Sequence, residues 1–94
     1  MLQVSEKAAI ALEAIRRSEE IPESHGTRLS EATQPGGDLA IRLEFVEDVP
    51  QDDEVAEQGD TEVYVAPALV EPLAEAVMDV EDTEEGLSFV FRSG

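Results

Sequence analysis

From Leu39 to Val46 the chain alternates: Leu39, Ile41, Leu43 and Phe45 are separated by Ala40, Arg42, Glu44 and Val46. A period of two sends successive side chains to opposite faces, so Asp38 to Glu47 predicts a strand with one buried face. This pattern decides a question that composition leaves open. With 23 Asp and Glu against one lysine, Lys7, and five arginines, the formal charge is −17. High net charge with low hydrophobicity lies near the border of disorder. Alternation of large apolar residues argues instead for a packed core.

The neighbouring segments supply partners for that strand. Gln34-Pro35-Gly36-Gly37 is a turn cluster that joins it to a short preceding strand, Thr27 to Ala32, as a hairpin. On the N-terminal side, Ser5 is placed to cap a helix over 5–18, with Ala8, Ala11, Leu12 and Ile15 on one face and Glu13 in reach of Arg16 or Arg17. Ile10 falls on the far side of that stripe, which predicts a helix covered on two sides. Residues 19–26, with Pro22 and Gly26, form a loop. After the alternating strand, residues 47–54 form a charged loop. Val55 and Ala56 begin a short strand, Gly59-Asp60 turns the chain, and Glu62 to Val65 is the next strand. Pro67 suits the start of a helical turn, with Leu69, Val70 and Leu73 facing inward, and Pro72 keeps that helix short. The tail predicts a hairpin, Val77 to Glu81 and Leu87 to Phe91, with acidic residues between and with Leu87, Phe89 and Phe91 on a buried face. The expected core joins Leu39, Ile41, Leu43, Phe45, Phe89 and Phe91, with Leu12 and Ile15 packed against them.

Ninety-four residues suit a single domain over 1–94, since smaller pieces would not fold without staples. The absence of cysteine removes disulfide, thiolate-metal and redox chemistry. It also favours an intracellular setting. The N-terminus lacks the basic and apolar regions of a signal peptide, and no apolar run approaches a membrane span, so a cytoplasmic protein is expected. The acidity disfavours nucleic acid and anionic membranes as partners. Adaptation to a salt-rich cytoplasm accounts for the missing lysines, because carboxylates keep a protein soluble where salt screens their repulsion.

The run from Gly26 to Phe91 resembles the HesB-like domain of the A-type iron–sulfur cluster carriers, the IscA family. LQVSEKAAIAL at 2–12 is similar to the family's opening strand and helix, and LEFVEDVPQDDEV at 43–55 to its strand and acidic Pro-containing loop. TEVYVAPALVEPL at 61–73 resembles the strand and short helix, and residues 77–80 with SFVF at 88–91 the closing hairpin. The resemblance implies an α+β, mainly β domain: a compact barrel or sandwich of short strands with an N-terminal helix and a short second helix. It also makes a homodimer reasonable. The family's ligands are three cysteines, one in a Gly-rich loop before the central strand and two in a Cys-Gly-Cys motif beyond the last strand. Here an ungapped alignment puts Gly36 at the first position, and Arg92-Ser93-Gly94 ends the sequence before the second motif. A shortened tail would account for the missing pair but not for Gly36, so the loss is read as native.

No catalytic, cofactor or metal residue is therefore expected. His25, the single histidine, reads as a surface loop residue, and with Glu20 and Glu23 it makes a weak ligand set. Asp52-Asp53-Glu54 and Glu81-Asp82-Glu84-Glu85 lack the spacing of a calcium loop and read as solvated charge in turns. There is no Gly-x-Ser-x-Gly elbow, and the Pro-Gly-Gly turn opens a strand rather than a helix, so an enzyme is not expected. Two functions remain: a cysteine-free, non-catalytic interaction or regulatory module related to iron–sulfur assembly proteins, meeting a protein partner through its acidic surface; and a carboxylate-based iron or divalent-metal binder.

Overall fold

The structure, a computed structural model, describes residues 1–22, 24–33, 36 and 39–93. The expected turn residues Gln34, Pro35 and Gly37, the strand's first residue Asp38, and the candidate ligand Glu23 lie outside the described residues. The chain runs β1 (Gln3–Val4), α1 (Glu6–Ser18), β2 (Gly26–Thr33), β3 (Leu39–Val46), β4 (Glu54–Gln58), β5 (Thr61–Val65), α2 (Pro67–Val70), β6 (Ala76–Thr83) and β7 (Gly86–Ser93). Two sheets form, one of order β1-β6-β7 and one of order β3-β2-β5-β4. The mainly β fold with two helices matches the expected class.

Ser5 begins α1 as anticipated: its hydroxyl accepts the Ala8 N–H at 3.0 Å and donates to Asp79 Oδ1 at 2.9 Å, tying the cap to β6. Glu6 in the first turn and Arg16 and Arg17 in the last complement the helix dipole. Ala8, Ala9, Ala11 and Leu12 are buried, whereas Ile10 is 62% exposed, so the helix is covered on one side only. Ile10 sits about 200° round the helix from both Ala8 and Leu12, at 3.6 residues per turn, away from the buried stripe. The helix ends with Ile21 N–H on Arg16 O and Glu20 N–H on Arg17 O, with Glu20 at φ 56°.

The alternating strand pairs antiparallel with β2 from Thr33↔Leu39 to Gly26↔Val46, and β2 pairs parallel with β5. Gln58 of β4 donates its side-chain N–H to Val4 O at 2.9 Å, joining the two sheets. The centre of the core differs from the expectation. It is made of Leu12, Leu29, Val63, Val65, Leu69 and Met78, all at most 1% exposed, with Leu2 and Val4 of the N-terminal strand also buried. Ile41, Leu43, Phe45, Phe89 and Phe91 pack against it but remain partly exposed, as does Ile15. β3 and β7 each lie at a sheet margin, where one flank has no neighbouring strand among the described residues, while β2, β5 and β6 are paired on both flanks.

The last hairpin is longer than its apolar pattern suggested, with pairing from Ala76↔Ser93 to Thr83↔Gly86. Met78↔Phe91 and Val80↔Phe89 lie over the core, but the next same-face pair, Asp82↔Leu87, projects past it. Leu87 is accordingly 51% exposed rather than buried.

Candidate functional site

A cleft of about 470 Å³ opens where the C-terminal half of α1, the start of β2 and the β4–β5 turn converge. Glu13, Arg16, His25, Asp60, Glu62 and Tyr64 supply its polar walls. Arg16 organises it. Its Nη1 donates to Pro22 O at 2.9 Å and to His25 O at 2.6 Å, and its guanidinium carbon lies 5.4 Å from the Phe45 ring centroid. One side chain thereby fixes the 19–25 loop to the helix end and to the sheet. Of the expected partners for Glu13, Arg16 makes the ion pair, at 3.8 Å, while Arg17 Nε donates to the Glu13 carbonyl at 3.4 Å.

His25 is half-buried, not the surface histidine the sequence suggested, because Arg16 draws its carbonyl against the helix. Its Nδ1 is buried without a hydrogen-bond partner among the described residues. Gly26 beside it is required by contact: a Cβ there would lie 2.8 Å from a Tyr64 ring carbon and 3.0 Å from Val49 Cγ2. Tyr64 donates its hydroxyl to Glu62 Oε2 at 3.2 Å. Burial, reinforced by that bond and by the negative charge of Glu62, pushes the Tyr64 phenol above its ordinary pKa, so it is a neutral donor at physiological pH. Nothing in the sequence around Tyr64 or Arg16 signalled this cleft, because its walls come from segments tens of residues apart.

The other candidates are dispersed. Glu20 is exposed at the helix end, and among the described residues no three His, Cys, Asp or Glu side chains gather as a metal site. Asp53 corrects the view of Asp52-Asp53-Glu54 as solvated charge. Its carboxylate is fully buried, accepting Arg28 Nε at 2.7 Å and Nη2 at 3.2 Å, while Asp52 stays exposed. The bidentate bond pins the loop after β3 to β2, and this bond, followed by the charge of Asp53 and then Glu44, raises the Arg28 pKa against the effect of burial. In the last cluster Glu81 bonds Arg92, and Asp82, Glu84 and Glu85 are exposed at the hairpin end.

Gly36, aligned with the family's first ligand, has φ +99°, and among the described residues no atom lies within 4 Å of a Cβ built on it. A cluster needs thiolates, or thiolates with some imidazoles, converging on it. This chain offers no thiolate and one imidazole, with carboxylates as the remaining donors, and carboxylate oxygen is too hard a donor to suit a sulfide-bridged core. The residues present do not fit an iron–sulfur cluster.

The arrangement of strands and helices is that of the A-type iron–sulfur carriers. SufA of Escherichia coli, described as involved in biosynthesis of iron–sulfur clusters, matches with a TM-score of 0.78 at 18% identity, over 98% of this chain and 84% of SufA. IscA in a crystal structure with its 2Fe–2S cluster matches with a TM-score of 0.82 at 18% identity, over 99% of this chain and 85% of IscA. No family profile and no curated protein matches the sequence. The resemblance expected from the sequence thus holds for the fold across nearly the whole chain. No helix among the described residues is long and apolar enough to cross a membrane.

Proposed function

We propose that this chain is a cysteine-free domain of the IscA-like fold that serves iron–sulfur cluster assembly in the cytoplasm as a non-catalytic interaction module, meeting a protein partner through its acidic surface. The observation that carries this is the pairing of a cluster carrier's fold with a sequence that has no cysteine, a glycine, Gly36, standing at the aligned ligand position. What such a fold still offers is surface. Of 23 acidic side chains, Glu13, Glu44, Asp53, Asp79 and Glu81 make the ion pairs among the described residues. The rest leave a strong negative field suited to a basic partner.

Calorimetric titration separates this function from carboxylate-based metal binding. A basic-surfaced assembly protein should bind, and lose about tenfold in affinity between low and physiological salt as the Debye length falls. Ferrous ion under the same conditions should bind weakly and without saturation. Saturable ferrous binding of fixed stoichiometry that persists in salt would overturn the proposal in favour of a metal binder.

A further inference from the structure

The cleft beside Arg16 continues past Glu13. A second concavity, of about 340 Å³, runs on along α1, with Ala9, Ile10 and Arg17 on the helix side and Gln58, Gly59 and Thr61 on the side of the β4–β5 turn. Glu13 lines both concavities. Between them the hydroxyl of the buried Thr61 donates to Glu13 Oε2 at 3.4 Å, joining the helix to the turn. The result is a furrow with two unlike halves. The half beside Ile10 is mostly apolar, and Ile10 itself is 62% exposed there. The half beside Tyr64 is acidic and aromatic. In it Glu13 and Arg16 offset each other at 3.8 Å, and Arg16 spends its donors on the Pro22 and His25 carbonyls. Asp60 and Glu62 are exposed and make no ion pair among the described residues. Two uncompensated carboxylates therefore share a cleft with the half-buried Tyr64.

We propose that this furrow is the docking surface for the basic partner, and that it takes a segment of that protein carrying an apolar side chain close to an arginine. The apolar side chain lies against Ala9 and Ile10, and the guanidinium enters the cleft beside Asp60, Glu62 and the Tyr64 ring. The inference rests on the reading that the chain meets a basic protein, and it adds where they meet and through which side chains. Charge complementarity selects a cation for the acidic half. The shape and lining of that half select arginine over lysine, because a planar guanidinium pairs with a carboxylate through two N–H groups and also stacks on an aromatic face. A few side chains seated in pockets carry most of the energy of an interface, with arginine prominent among them. The diffuse negative field brings the partner in, and the furrow sets its register.

The probes are synthetic peptides of three Leu-Gly-Arg repeats, three Ser-Gly-Arg repeats and three Leu-Gly-Lys repeats, all of equal charge, titrated into the full chain by calorimetry. At about 0.15 M sodium chloride, where the Debye length is about 8 Å, the Leu-Gly-Arg peptide should bind with saturation. The Ser-Gly-Arg peptide should bind at least about tenfold more weakly, and the Leu-Gly-Lys peptide about fivefold more weakly. Ile10→Ser and Glu62→Gln, both at exposed positions, should each lower affinity for the Leu-Gly-Arg peptide about tenfold. Glu84→Gln removes the same charge at the exposed hairpin end and should change it less than about twofold. Amide chemical shifts should move along α1 and the β4–β5 turn. Equal weakening by Glu62→Gln and Glu84→Gln, or equal affinity for the leucine and serine peptides, would overturn the furrow while leaving a diffuse acidic surface for the partner. Acetyl-arginine amide binding as tightly as the peptide would overturn it in favour of a site for a small cation. Absence of peptide binding would also overturn it, whereas the reading beneath it fails only if the basic assembly protein does not bind either.

Discussion

Thr27 is completely buried in β2, yet its hydroxyl has no hydrogen-bond partner among the described residues. A buried hydroxyl without a partner forfeits its hydration and gains nothing in return. Thr27→Val replaces it with a methyl of similar shape, and should stabilise the fold by about 1 kcal/mol, read as a higher urea midpoint with unchanged slope. A lower midpoint would mean that the hydroxyl is satisfied. At this scale the sequence was least informative. The part-buried Arg28–Asp53 pair joins residues 25 apart, and neither shows a local pattern that separates it from the other charged residues of a very acidic chain. His25 misled for the same reason: its environment is set by Arg16, nine residues earlier. By contrast Ser5 and Pro67 were legible, because helix starts are local events.

Asp79 joins three elements: its carboxylate accepts the Val80 N–H at 2.8 Å and the Ser5 hydroxyl at 2.9 Å, and faces Arg92 at 3.5 Å. Chiefly the Val80 bond, then Ser5, with Arg92 adding to them, hold its pKa below the ordinary carboxylate value. Since folding lowers this pKa, its contribution is complete well above the unfolded value of about 3.9 and disappears as pH falls through the lower folded value. The stability difference between parent and Asp79→Asn should therefore be largest near neutrality and shrink through that acid window. A difference independent of pH would remove Asp79 from the acid response. The same strand shows what element-level patterns convey. Alternation located β3 and the apolar face of β7, but it could not tell a central strand from a marginal one. Leu87 continues the periodicity of Phe89 and Phe91 faithfully and is still exposed, because the hairpin outruns the layer beneath it. Conversely β1, only two residues long, is too short to show any period, and it was anticipated only through the family resemblance.

For the whole molecule the dominant fact is repulsion among 23 carboxylates opposed by six basic side chains. Raising sodium chloride from about 0.1 to 1 M shortens the Debye length from about 10 to 3 Å and should raise the melting temperature. A sulfate salt at equal ionic strength separates screening from strengthened apolar burial. An unchanged melting temperature in sodium chloride would show that the charges are already spaced beyond mutual effect. The central claim, a carrier fold without cluster chemistry, is tested by anaerobic reconstitution with ferrous iron and sulfide. The protein should emerge from desalting colourless and without iron. Gly36→Cys should behave alike, because one thiolate per chain, or two in a dimer, falls short of the four ligands a cluster usually takes. A coloured protein that keeps iron and acid-labile sulfide in fixed ratio to chain would contradict the account.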